Sequence, residues 1–208
     1  MLESLAEKLA NIEHIDDKIR NYFLEAVKAD PTIYVVDFVI FGALKRTLSL
    51  SDGFRRHIRD RNFTCAGALL RLQLDTAMRL YGGSLHGSPS VYAEAIFHGE
   101  RIDRLKDRKG RRMTDSYLAE QMNEHYPWVR KMYAELCDFI HFSNRHIFAA
   151  AEKLNERDRS FSLVLGPKDP QRPDSDYFEI LDAFSQTLRV TSDLAAGWHA
   201  ATHKLDSR

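Results

Sequence analysis

Apolar residues at Leu2, Leu5, Leu9, Ile12, Ile15, Ile19 and Phe23 recur every three or four positions, the spacing of one helix face. The pattern predicts a first helix that ends near "ADPT" (29–32). The next apolar run, "IYVVDFVIFGALKRTLSL" (33–50), continues toward "SDGFRRHIRDR" and predicts one or two further helices, with Pro31 tolerated in a first turn. "RNFTCAGALLRLQLDTAMRLYGG" (61–83) is apolar nearly all round, so it predicts a helix at the centre of the molecule, closed by Gly82-Gly83.

Over residues 84–116 the period weakens while glycine, serine and charge increase, which predicts short helical turns and a mobile basic loop. Thr114 or Asp115 reads as the N-cap of "SYLAEQMNEHY", and Pro127 as the opening of the helix that carries "LCDFIHF". Beyond the Ser143-Asn144 break, "HIFAAAEKL" and "SFSLVLG" flank the polar "NERDRS" and predict a small β-hairpin at about 146–165. A proline-rich loop at about 166–175 then leads to a last helix at about 176–205, capped by Asp174 or Ser175. The expected fold is mainly α: one domain over residues 1–208, a helical bundle of five to seven helices with a small β-hairpin before the last.

Composition narrows the function. Thirty basic and thirty acidic residues cancel, so no overall field draws the chain onto nucleic acid or an anionic membrane. The most apolar run is interrupted by Asp37 and falls short of the roughly 20 residues that span a bilayer. Cys65 and Cys137 lie in apolar runs and read as small hydrophobes, which suits a reducing cytoplasm, and the charged N-terminus lacks the apolar centre of an export signal. Glycine-rich phosphate loops, G-x-S-x-G elbows and CxxC pairs are missing, which removes most support for the common nucleotide-binding, hydrolase and zinc-finger classes. No cofactor is expected.

Two helical lines carry the candidate chemistry. Arg71, Asp75 and Arg79 are spaced by four on an apolar cylinder, where charge must be paired or face a cavity. Arg71 can pair with Asp75, or the two guanidiniums can hold a phosphate or carboxylate. Tyr133, Cys137, His141 and Arg145 follow at the same spacing, with His141 at the border of an apolar face formed by Trp128, Met132, Leu136, Phe139 and Ile140. A border histidine can serve acid–base chemistry or simply cap its helix, while His146 reads as a turn residue. The run "RIDRLKDRKGRR" (101–112) holds seven basic and two acidic residues, and "FRRHIRDR" (54–61) could widen that patch; either a phosphate track or a solvated surface fits it. His199 and His203 are one turn apart, but HEXXH is absent, so a solvent-facing pair without metal is expected.

The stretches "RNFTCAGALLRLQLDTAMRLYG", "LKDRKGRRMTDSYL" and "YAELCDFIHFSNRHI" resemble a group of uncharacterised bacterial cytoplasmic helical proteins over roughly residues 35–165. That resemblance marks Arg71, Asp75, Tyr133, His141 and Ser143 as its matching polar positions and implies no particular activity. A looser likeness is to the HEPN helical bundles, many of them metal-free ribonucleases with an Arg-x(4 to 6)-His motif. Arg79 to His86 has that spacing but crosses Gly82-Gly83, so the two side chains need not share a face.

Three functional expectations follow. The first is a pocket, lined by Arg71, Asp75, Arg79, Tyr133, His141 and Arg145 and with Ser143 among its binding residues, that holds an anionic ligand. The second is RNA cleavage, with His141 as general acid or base and Arg145 or Arg79 steadying the phosphate. The third is a scaffold that self-associates, as a homodimer for instance, through the apolar stripe of the first helix.

Overall fold

The computed structural model describes residues 4–155, 160–169 and 173–205. Among them are eight α-helices: α1 (Leu5–Ala29), α2 (Val35–Arg59), α3 (Phe63–His86), α4 (Pro89–Phe97), α5 (Asp115–Asn123), α6 (Val129–Ile140), α7 (Asn144–Ala149) and α8 (Phe178–Leu205). Two short strands, β1 (Ala151–Asn155) and β2 (Ser160–Leu163), pair antiparallel between α7 and α8. The protein is a mainly α bundle. No helix among the described residues is long and apolar enough to cross a membrane.

Each long helix buries the face its periodicity marks. In α1, Leu9, Ile12, Ile15, Ile19 and Phe23 are buried, and the helix packs chiefly on α8. That stripe is therefore consumed inside the chain and is not a free surface for a second copy. Ser4 and Glu7 form a reciprocal capping box at its start, satisfying two of the amide donors a helix end leaves open. The central helix is α3, which packs on α2, α4, α5, α6 and α8. Its Gln73 Nε2 donates to Thr47 Oγ1 on α2 at 3.2 Å and to Thr191 Oγ1 on α8 at 3.0 Å, a polar rung through a core otherwise held by contacts such as the stacked rings of Phe54 and Phe184.

Several expectations about the elements are corrected. Gly82-Gly83 does not end α3, which runs on to His86 and stops at Gly87, in the left-handed conformation at φ 96°. The glycine pair makes room instead: a Cβ at Gly83 would stand 1.9 Å from the Trp198 ring, and one at Gly82 would stand 2.7 Å from the Tyr92 hydroxyl. Pro31 lies in the connection before α2, not in its first turn. The basic segment is built, not mobile: Asp107 Oδ1 accepts the Lys109 and Arg111 amides at 2.9 and 2.8 Å, and its Oδ2 accepts the Tyr117 hydroxyl. Backbone bonds from Arg108 to Leu85 and from Met113 to Leu105 fasten it to the end of α3 and to itself.

The region around His146 also differs. The strands begin at Ala151, because Ser143 caps a six-residue helix, α7, where the start of the hairpin was expected. His146 belongs to that helix, its Nδ1 accepting the Ser143 amide at 3.2 Å. The expected polar turn falls mostly on residues 156–159 and the middle of the proline-rich loop on 170–172, both outside the described residues. Asp169, in that loop, accepts the Phe63 amide and the Tyr177 hydroxyl at 2.9 Å each, and so ties the loop to the start of α3 and to the turn before α8.

Candidate functional site

A network of three arginines and two aspartates lies where α2, α3 and α5 meet. Asp75 accepts from Arg79 Nε at 3.1 Å and from Arg46 Nη1 at 3.2 Å, while Asp115 accepts from Arg71 Nη2 at 3.2 Å and from Arg79 Nη2. The pair within α3 is therefore Arg79–Asp75, not Arg71–Asp75. Arg71 turns away to Asp115 and lies over the Tyr133 ring at 4.6 Å, a cation–π contact that ties α3 to α6. Burial opposes its charge, and Cys137, Asp75, Tyr133 and Asp115 together outweigh that effect, so Arg71 stays charged. Three guanidiniums against two carboxylates leave one positive charge in the network.

Arg79 stands between two openings. On one side is an apolar cavity of about 360 Å³ between α2, α3 and α4, walled by Phe38, Val39, Leu80, Ile96, Phe97 and Ile102. Its only charged lining groups among the described residues are Arg46 and Arg79. On the other side is a shallow polar cleft where Arg79 and Arg101 meet Glu100, Asp103 and Asp115. The balance of charge there is negative. Among the described residues Arg79 Nη1 is buried without a hydrogen-bond partner and Arg46 commits only Nη1, to Asp75 and Thr76, so the network keeps donors that these residues leave unused.

The expected six-residue pocket is divided. Arg71, Asp75, Arg79 and Tyr133 come together, whereas His141 and Ser143 do not join them. His141 is the exposed C-cap residue of α6, about 12 Å along the helix axis from Tyr133, and its own amide bonds back to the Cys137 carbonyl. The Ser143 hydroxyl donates to the Asp138 carbonyl and accepts from the Arg145 amide, joining α6 to α7. Arg145 lies 4.4 Å over the Phe139 ring on a larger groove of about 700 Å³ between α6 and α8. Glu135, Asp176, Glu179 and Asp182 line that groove against Lys131 and Arg145, a charge balance that repels a phosphate chain.

Arg46 and Asp115 were missed as site residues. Asp115 was legible as part of a helix start, but nothing in a single chain links residue 115 to residues 71 and 79, or residue 46 to 75. The clearest reversal concerns the last histidines. His199 and His203 are not solvent-facing: their rings stack at 4.0 Å beside Asp37, which is 1% exposed. His203 Nδ1 meets Asp30 Oδ2 at 2.8 Å, and its Nε2 meets both oxygens of Asp37 at 3.2 Å. Burial opposes a charge on His203, and the bonds to Asp30 and Asp37 outweigh it, so its pKa lies above the usual histidine value. Burial and the neighbouring His203 push His199 the other way. Asp30, chiefly through its bond to His203, is held down at about 2.

His86 also gains meaning from the unbroken α3. It lies seven positions beyond Arg79, about two helical turns, so both lie on one face after all. Its Nδ1 is buried without a partner among the described residues, and its ring is 5.6 Å from that of Tyr92, whose hydroxyl donates to the Arg79 carbonyl at 2.8 Å. Compared with family models, curated proteins and solved structures, the chain finds no match.

Proposed function

We propose that the protein binds a small amphipathic anion, with its apolar body in the cavity between α2, α3 and α4 and its carboxylate or phosphate on Arg46 and Arg79. One observation carries this reading: the only charges lining an otherwise apolar cavity, among the described residues, are two guanidiniums. A volume of about 360 Å³ lies within the range of small-molecule sites, and Arg46, whose Nε and Nη2 bond to nothing among the described residues, offers the forked donors that a carboxylate or phosphate accepts, with the charge of Arg79 beside it. Asp75 and Thr76 hold the guanidiniums in place, so less ordering is left for the ligand to impose. Arg71 and Tyr133 brace the network from behind; His141 and Ser143 have no part in it.

Decanoate, decanol and the purified protein test this reading. Decanoate should bind with one saturable site, and Arg46→Gln should weaken it roughly tenfold or more, as expected for a hydrogen bond to a charged group. Decanol should bind far more weakly than decanoate. Equal affinity for the two, or decanoate binding unchanged in Arg46→Gln/Arg79→Gln, would overturn the reading.

The unbroken α3 also favours a second reading, metal-free RNA cleavage, which moves from His141 and Arg145 to Arg79 and His86. There His86 would act as general acid or base and Arg79 would steady the phosphate. Incubation with total RNA in excess chelator, beside His86→Ala, decides it: cleavage must occur and must vanish in the variant.

A further inference from the structure

The opposite end of the bundle holds a second constellation, at the meeting of the end of α1, the start of α2 and the end of α8. Asp37 lies in the first turn of α2, where its Oδ2 accepts the Tyr34 amide at 2.8 Å, which fixes the carboxylate. His199 and His203 are adjacent on α8, one turn apart. One ligand atom from each of Asp37, His199 and His203 can be chosen so that all lie within 4.8 Å of one another. Behind them, Asp30 holds Nδ1 of His203. Phe23 and Tyr34 pack T-shaped against His199 and His203, at ring centroids 6.1 and 5.0 Å apart.

We propose that Asp37, His199 and His203 bind a divalent transition ion of the zinc class. Two imidazole nitrogens and one carboxylate oxygen are the donor set of such ions, whereas magnesium and calcium favour oxygen alone. Three protein ligands leave a fourth position for water or another small donor. The contact between Asp30 and His203 Nδ1 is the outer carboxylate that metal-bound histidines usually carry; it orients the ring and raises the basicity of the nitrogen facing the metal. His199 makes no hydrogen bond through its ring nitrogens among the described residues, although it is only 9% exposed. Its ring nitrogens thus keep a lone pair that no group among the described residues uses, which an ion can take.

Binding requires a small rearrangement. A metal lies in the plane of each ring that ligates it, and two rings stacked at 4.0 Å with planes 22° apart share no such nearby point. The His199 ring must therefore swing about its side-chain bonds, and the ligand atoms must close to about 3.3 Å, the edge of a zinc tetrahedron. His203 gives up the proton on Nε2 to solvent as the metal takes its place between the ring and Asp37. The ion then joins the first turn of α2 to the last turns of α8, and the stack is lost.

Cobalt(II) is the probe, because its visible absorption reports both occupancy and geometry. Protein stripped with chelator and desalted should take up one equivalent with a tetrahedral-type spectrum, and zinc, not magnesium, should displace it. His199→Gln should lower the affinity at least a hundredfold, and Asp30→Asn roughly ten- to a hundredfold. Since Asp37 also serves the start of α2, its own variant could fail to fold; His199→Gln loses no hydrogen bond and carries the test, with circular dichroism checking its fold. A wild-type protein that takes up no stoichiometric cobalt overturns the assignment. So does a folded His199→Gln that binds cobalt as tightly as the wild type, because the ion then sits on other histidines.

Discussion

The ends of α6 and α8 contain similar ingredients and behave as opposites. Each brings a histidine to the close of an amphipathic helix, His141 in one and His199 with His203 in the other. His141 is exposed at the end of its helix. His203 has the end of α1 and the start of α2 folded over it, so two carboxylates from residues 166 and 173 positions away close on its ring. A histidine's chemistry is set by what the rest of the chain lays across its helix end, which the helix's own pattern does not record.

That contrast can be broken most forcefully at the carboxylates. Asp37→Ala should cost about 3 kcal/mol of stability in denaturant melts, because it strips a partner from a buried charged ring. Asp138→Ala, beside His141, should stay within about 0.5 kcal/mol. Similar losses at both would mean the two ends are not different in kind. Burial alone is not the cause, as Asp16 shows. It is 2% exposed, and burial holds its carboxyl up at about 6 against the pull of Ser51, Arg55 and Arg20. Its raised pKa makes a contribution that is full below about 4 and lost as pH rises through about 6. Asp16→Asn should therefore stabilise the protein at pH 8, by about 1 kcal/mol after discounting for solvent screening, and bring no gain near pH 4.

The histidines themselves supply the finer tests. With its folded pKa raised, His203 stabilises fully below the unfolded value near 6.5, and the contribution fades as pH climbs through the folded value. Its partner Asp30, held down at about 2, contributes above the ordinary carboxylate range and loses that only as pH falls toward 2. The stability gap between wild type and His203→Gln should thus be wider at pH 5.5 than at pH 9 in parallel melts; a gap that widens with pH would contradict the paired ring. Smallest of all, His141→Ala should change stability by less than about 0.5 kcal/mol and leave decanoate affinity unaltered.

Legibility from sequence followed the same division. The stripe of α1, the Thr114 cap and the central place of α3 were all readable, because helix periodicity and capping are local. Gly82-Gly83 misled, because a glycine that ends a helix and one that admits a neighbouring ring look alike without the neighbour. At the arginine network, spacing brought Arg71, Asp75 and Arg79 to one stripe and Arg79 does pair with Asp75, yet the remaining partners, Asp115 and Arg46, come from other helices. The charge of "RIDRLKDRKGRR" hid the one residue that organises it, since Asp107 acts through backbone amides and not through its sign.

Gly83 has a further consequence. With the Trp198 ring seated where a side chain would begin, α8 has one axial setting on α3, as a key has in its wards. Sliding α8 by a single residue would shift it about 1.5 Å and turn it about 100°, carrying the adjacent His199 out of reach of Asp37. The missing methyl group at position 83 thereby acts as a vernier for chemistry at the far end of another helix, and even alanine there would detune it.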